Sequence, residues 1–267
     1  RRDADGIRRY VHLATGNYNA TTARFYTDLG LLTCRPDFGE DASSLFNLLT
    51  GICQFQGTRK FLVAPFELHS RMLKLIEREA ANAKRGLPAR IIAKMNSLVD
   101  RDIIEALYRA SQAGVKIDLI VRGICCLRPG VKGVSDNITV RSIVDRFLEH
   151  SRIFHFENAC QPEVFVGSAD WMPRNFFRRV EVVFPIEDGN LRDRVKRELL
   201  DTVLADTAKA RVLQPDGTYQ RAAPRRGGKG VRSQTELMRL AANGTAAKGR
   251  ANNEKKRATV VKVRSRP

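Results

Sequence analysis

Apolar and polar positions along this 267-residue chain change period several times, and each change marks an element. Arg9 to Leu13 alternates as a strand does, Ala14 to Asn19 has the Gly and Asn of a turn, and Arg24 to Thr33 continues mostly extended. Asp41 is placed to cap a helix running through Leu49, which Gly51 ends, and a strand follows at Lys60 to Ala64. Between Leu68 and Lys84 the apolar residues Met72, Leu75, Ile76 and Ala80 share one face with charges opposite. This predicts a surface helix stopped by Gly86 and Pro88. Strand Arg90 to Met95, helix Asp102 to Ala113 and strand Lys116 to Arg122 come next, an order that implies a βαβ unit with a parallel sheet. Gly123 to Asn137 is a loop at the strand end where such sheets present ligand-binding groups. Val140 to His150 is mixed; Arg152 to Phe156 and Val164 to Gly167 read as a strand pair. Val180 to Pro185 reads as a buried strand and Leu191 to Leu204 as an amphipathic helix.

Laid over one another at an offset of 153 positions, VHLATGNYN (Val11 to Asn19) and VFVGSADWM (Val164 to Met172) read as copies of one strand and turn. The offset places Thr15 on Ser168, Asn17 on Asp170 and, past the turn, Asp28 on Glu181. Chemical type is kept where a phosphate-binding turn needs it. The chain is therefore read as a duplicated fold whose two halves share one polyanion site.

Charge is spread unevenly. Of the formal +18, the residues from Arg221 onward supply 14 Lys/Arg against 2 Asp/Glu, hence +12, and the first 220 residues carry +6. Residues 211–267 are expected to form a basic disordered tail, because they lack the sustained apolar periodicity that offsets ordering entropy. Such a tail attracts nucleic acid, polyphosphate or an anionic membrane surface without selecting among them; a solubilising extension with no dedicated ligand is the competing reading. The five cysteines have no metal-ligand spacing and their odd number argues against a secreted disulfide framework, so reduced thiols are expected. No apolar run reaches the roughly 20 residues of a bilayer span and no signal-peptide core is visible. A cytoplasmic protein is expected, peripheral to the inner membrane face if the tail binds lipid. The opening RRDADGIRRYVHL has no initiator methionine and reads as the start of a fragment.

The second half carries His150, Ser151 and Arg152, then Glu157, with the Gly167-Ser168-Ala169-Asp170 turn ten residues later. This HxRxxxxE pattern resembles the HxKxxxxD plus GSxN signature of the phospholipase-D-like superfamily, with Arg for Lys and Glu for Asp. An imidazole can hold or relay a proton or a phosphoryl group, while a cation and a small-residue turn neutralise phosphate oxygens. A second resemblance covers roughly Arg9 to Ala210. HLATGNYN, TARFYTD, ALYRASQAGVKIDLIVRGICCL, GVSDNI, SIVDRFLEH and GSADWMPRN together resemble the C-terminal half of bacterial polyphosphate kinases, which reversibly move the terminal phosphate of ATP onto inorganic polyphosphate.

That resemblance implies an α/β fold with a phospholipase-D-like mixed sheet flanked by helices. Residues 1–58 would be the end of one such domain, 59–210 a complete second one, and 211–267 the tail. It implies that Tyr26, Arg122 and His150 bind the nucleotide, His150 also acting in catalysis, and that ATP/ADP and polyphosphate are the partners in a homo-oligomer. Arg152, Ser168, Asp170, Arg174 and Glu181 would line the phosphate channel or stand behind it, with Glu181 accepting the second ring proton of His150. The family's phosphorylated histidine belongs to a His-Ala-Lys segment that these 267 residues do not contain. Its Mg2+ ligands also belong upstream, so no metal residue is assigned here and the isolated fragment is expected not to turn over. His12 is expected to be a packed or hydrogen-bonded strand residue, His69 a surface or capping residue, and Trp171 core; His155 is weighed for a supporting role. Two other classes remain open on the residues alone: a phospholipase-D-like phosphodiesterase or nuclease acting through His150, and a noncatalytic polyanion-binding module.

Overall fold

The computed structural model describes residues 1–3, 6–224 and 228–243. Nine strands form one mixed sheet, in the spatial order Tyr219–Arg221, Ala210–Leu213, Ile138–Ile143, Lys116–Val121, Arg90–Met95, Arg152–Phe156, Glu163–Gly167, Glu181–Pro185 and Leu62–Ala64. The three central strands from Arg90, Lys116 and Ile138 are parallel, as the βαβ pattern requires, and the remainder pair antiparallel. The near-continuous apolar runs of the Arg90–Met95 and Lys116–Val121 strands follow from burial on both faces.

Helices Leu68–Lys84 and Arg101–Gln112 cover one face. Met72 and Ile76 of the first and Ile103 and Leu107 of the second are sealed against Ile91, Ala93, Phe154 and Phe156. Trp171 lies in this core as expected, stacked on Phe154 with ring centroids 5.0 Å apart. The second helix starts at Arg101 because Asp100, one residue before it, accepts from the Ile103 backbone N–H at 3.1 Å. The other face is covered by helix Pro36–Leu49 and a helical run over 189–204, whose middle, Val195–Leu200, widens to a π-helix.

Two expectations change. Helix Pro36–Leu49 starts at its proline rather than at Asp41. Asp41 is buried inside it and accepts from the backbone N–H groups of Arg59, Lys60 and Phe61, so it tethers the following segment instead of capping a helix. The part of the presumed tail that the structure describes is ordered. Strands Ala210–Leu213 and Tyr219–Arg221 extend the sheet, and 233–243 is helical. Composition missed this helix because its anchors are distant polar groups: Asp206 accepts from both the backbone N–H and the hydroxyl of Ser233 at 2.7 Å, and the Gln234 amide exchanges hydrogen bonds with the Phe147 backbone at 2.9 Å. The disorder expected for 225–227 and 244–267 falls outside the described residues. Among the described residues no helix is long and apolar enough to cross a membrane.

Candidate active site

The two halves of the repeat meet in a four-residue joint. Tyr26–Thr27 pairs in parallel with Leu148–Glu149, Leu148 opposite Tyr26 and Glu149 opposite Thr27. The ladder continues through the His150 N–H to the Thr27 carbonyl at 3.0 Å. It stacks the Tyr26 ring on the His150 imidazole, centroids 5.2 Å apart and planes at 29°.

The 153-residue offset holds atom by atom in the two turns. Thr15 N–H donates to the Leu29 carbonyl, Leu29 N–H donates back to the Thr15 hydroxyl, and that hydroxyl donates to Asp28 at 3.2 Å. Ser168 N–H donates to the Val182 carbonyl, Val182 N–H points back to the Ser168 hydroxyl, and that hydroxyl donates to Glu181. Asn17 and Asp170 diverge. Asn17 is exposed, whereas Asp170 is buried and bound.

His150 Nδ1 faces two acceptors, the Thr15 carbonyl at 2.9 Å and Asp28 Oδ1 at 3.2 Å. Nδ1 therefore carries the proton in the neutral ring, and Nε2 is left with its lone pair. Burial, with the Arg152 charge added, holds the imidazole below its usual pKa, while Asp28 and the Thr15 carbonyl pull it back up. The ring is a neutral base or acceptor near pH 7.

Glu181 does not take the place expected for it beside His150. Its carboxylate is buried against Ser168 and the Asn175 side-chain amide at 2.6 Å, and the carboxylate on His150 is its repeat counterpart Asp28. Arg152 forks onto Asp170 at 2.9 and 3.1 Å and donates to the His150 carbonyl at 2.6 Å. Asp170 in turn accepts from the Asn96 N–H at 2.7 Å, and the Asn96 side-chain oxygen accepts from Arg122 Nη2 at 2.6 Å. One hydrogen-bonded chain thus runs Arg122, Asn96, Asp170, Arg152, His150. Arg174 is exposed on the short helix Pro173–Phe177 with no side-chain partner among the described residues.

Lys94, hidden within an apolar strand, had no signal in the pattern. Its ammonium is buried and donates to the Ser151 carbonyl at 3.0 Å, the Ser151 hydroxyl at 2.9 Å and Glu149 at 3.1 Å. All three donors are satisfied, and they grip the residues on either side of His150. Burial lowers the Lys94 pKa and Glu149 opposes that shift. A cavity of about 430 Å³ opens here, bordered by Asp28, Lys94, Glu149, Ser151, Arg194 and Leu237.

The other histidines stand apart from this site. His12 is exposed and bonds the Tyr18 hydroxyl. His69 is mostly buried rather than on the surface, against Phe176 and Phe177 and 3.1 Å from Asp100. His155 points to the opposite sheet face from Phe154 and Phe156, and burial pushes its pKa down to about 4. Glu157 follows the far end of strand Arg152–Phe156, about 23 Å of extended chain from His150, so the HxRxxxxE spacing does not bring it to the imidazole. Among the described residues one group, His69, Asp100 and Asp102, has metal-ligand proximity. It does not fit Mg2+, which demands an octahedron of oxygens, because one member is an imidazole already bonded to another.

The family model described as polyphosphate kinase C-terminal domain 2 matches residues 61–234. The chain belongs to the polyphosphate kinase family. Residues 1–55 match the companion model, polyphosphate kinase C-terminal domain 1. A polyphosphate kinase from Synechocystis sp. is 57% identical over 224 residues, 84% of this chain and 31% of that protein. The one from Pseudomonas aeruginosa is 55% identical over the same share of this chain and 32% of its own. The crystal structure of polyphosphate kinase from Porphyromonas gingivalis superposes with a TM-score of 0.85 at 40% identity, over 90% of this chain and 37% of that one. The chain thus spans about a third of the length of its curated relatives.

Proposed function

We propose that this chain is the nucleotide-holding part of a polyphosphate kinase that reversibly transfers the terminal phosphate of ATP to inorganic polyphosphate. The observation that carries the reading is the unbroken hydrogen-bond chain from Arg122 to His150, with Tyr26 stacked on the imidazole. Tyr26, Arg122 and His150 would contact the nucleotide, Arg122 neutralising phosphate oxygens and Nε2 of His150 meeting the transferring group. In the forward step a histidine outside these 267 residues forms an N–P bond to the γ-phosphorus as the bond to the departing ADP oxygen breaks. A terminal oxygen of polyphosphate then attacks phosphorus and the N–P bond breaks. Magnesium accompanies the nucleotide. Ser168 and Glu181, which the repeat equates with Thr15 and Asp28, would support that second histidine as Asp28 supports His150. Arg152 and Asp170 hold the site from behind and Arg174 offers a cation at its rim. We place the domains at 1–58 and 59–210, with 211–267 following, and expect a cytoplasmic homo-oligomer.

The test is a full-length protein carrying His150→Ala, followed for ATP-dependent growth of polyphosphate. Turnover should fall by about 10²- to 10⁴-fold, the scale of an acid–base or electrostatic group at a reacting centre. A variant with the wild-type rate removes His150 from the chemistry, and a wild-type protein that grows no polymer from ATP removes the function.

A further inference from the structure

On the sheet face that carries the helical run over 189–204, one imidazole is buried without a partner. His155 is 2% exposed and its Nδ1 has no hydrogen-bond partner among the described residues. It stands about 17 Å of extended chain from His150, too far to serve that ring. Burial, with the Lys196 and Arg90 charges added, keeps the His155 imidazole neutral near pH 7. A buried polar atom left unbonded gives up its hydration for nothing, so each one asks for an explanation.

His155 borders a cavity of about 180 Å³ whose charged walls are Glu157, Arg192, Asp193, Lys196 and Arg197. Arg192 adds a second orphan, a buried Nε. The Arg197 side chain has no hydrogen-bond or ion-pair partner among the described residues, and Lys196 gives one donor to Asp201 at 2.8 Å and keeps two. Neither Glu157 nor Asp193 forms an ion pair with these cations, although all five line the same space. Three cations against two acids leave the lining at +1. Lys196 and Arg197 stand on the π-helical stretch Val195–Leu200, a rare geometry that recurs at functional sites.

We propose that this cavity holds one small tetrahedral oxyanion of the orthophosphate class, taken between His155 Nδ1 on the sheet and the guanidinium groups of Arg192 and Arg197 on the helical wall. The site is separate from Tyr26, Arg122 and His150, and the inference does not depend on the polyphosphate kinase reading. A tetrahedral anion offers oxygens to both walls at once, whereas a planar carboxylate offers two to one wall. With its proton on Nδ1 the ring donates to one oxygen, and the guanidinium groups donate to the others. The two acids set the preference among oxyanions. Orthophosphate keeps at least one proton near neutral pH and can donate it to Glu157 or Asp193, while sulfate has none and meets both as like charges. A long polyanion gains little here, because its charge calls for a run of cations that these acids interrupt. A metal ion would face three positive charges, and among the described residues the group with metal-ligand proximity lies elsewhere. Arg194, Glu198 and Leu199 of the same helical run border the cavity at Asp28 and Lys94, so an anion held here steadies one wall of that cavity from behind.

The experiment titrates the full-length protein calorimetrically with inorganic orthophosphate and, separately, with sulfate and with long-chain polyphosphate. Wild type is compared with the double variant Arg192→Gln, Arg197→Gln, with His155→Phe and with Glu157→Gln. Wild type should bind orthophosphate with a component that the double variant weakens by about tenfold or more, the scale of a lost charge-assisted hydrogen bond. His155→Phe keeps a buried ring without the donor; it should weaken orthophosphate by about tenfold while its melting temperature without ligand holds or rises, since an orphan is removed. Sulfate should bind wild type about tenfold more weakly than orthophosphate, and Glu157→Gln should narrow that gap. Equal orthophosphate affinity in wild type and the double variant overturns the proposal. A double variant that weakens polyphosphate as much as orthophosphate also overturns it, because the cavity would then belong to a polymer path. Sulfate bound as tightly as orthophosphate overturns it as well, since positive charge alone would then be at work. Should the double variant melt early without ligand, Arg197→Gln alone, which alters an exposed side chain, decides by the same comparison.

Discussion

The turn at Thr15 and the turn at Ser168 share a scaffold and differ in what the scaffold carries. In both, one backbone bond and a hydroxyl that accepts from an N–H and donates to a carboxylate lock the strand end to residues thirteen and fourteen positions on. Asp28, with a side chain 27% exposed, uses its remaining capacity on the imidazole of the other half. Glu181, 7% exposed, uses its own on the Asn175 amide. The hydrogen-bond frame is the same in both, and the turns differ in the one partner added to each carboxylate. A carboxylate partner that crosses between halves makes the imidazole depend on both.

Exchanging one atom at each carboxylate tests this contrast most severely. Asp28→Asn keeps the shape but offers an amide that can donate toward Nδ1, so full-length turnover should drop by about 10²- to 10⁴-fold, as when a catalytic imidazole loses its orienting carboxylate. In this chain, imidazole proton resonances should show His150 titrating at still lower pH in Asp28→Asn, because the group that raises its pKa is gone; Glu181→Gln should leave that titration in place. Equal shifts in the two variants would erase the distinction between the turns. A second experiment addresses support found on one side only. Lys94→Met removes the one cation paired with the half-buried Glu149 carboxylate, leaving it the Gln234 amide, and should cost about 3 kcal/mol in a denaturant titration; a midpoint that hardly moves would show Glu149 reaching solvent or another cation. The smallest effect belongs to the hydroxyls. Ser168→Ala should cost about 1–3 kcal/mol and Thr15→Val less than that, since Asp28 has water to turn to and Glu181 does not. The reverse order would mean that the two frames are not equivalent.

Local pattern carried much of the fold and little of the site's wiring. Helix Leu68–Lys84 and strand Arg90–Met95 match the expected limits because periodicity and the Gly86 stop are local signals. The parallel βαβ unit follows from the same patterning, whereas the mixed sheet flanked by helices is implied by the family resemblance. The repeat pointed to Thr15, Ser168, Asp28 and Glu181, yet the choice of Asp28 for His150 depends on a ladder joining residues 122 positions apart, for which no local pattern exists. Lys94 sat unmarked in an apolar run, since a buried ammonium is recognisable only through the acceptors that surround it. Asp41 and Asp206 were hidden for a related reason. An acid beside a helix reads as a cap or as surface, and only the folded chain shows which distant backbone N–H groups it collects.

The pairing of Tyr26–Thr27 with Leu148–Glu149 is, among the described residues, the one strand ladder between the two turns' halves. A slip of a single residue there would turn the aromatic ring away and strand the imidazole without its acceptors in the same movement. On the proposed function, docking of the halves and competence of the pocket are one event, so a misassembled molecule would be silent rather than sluggish.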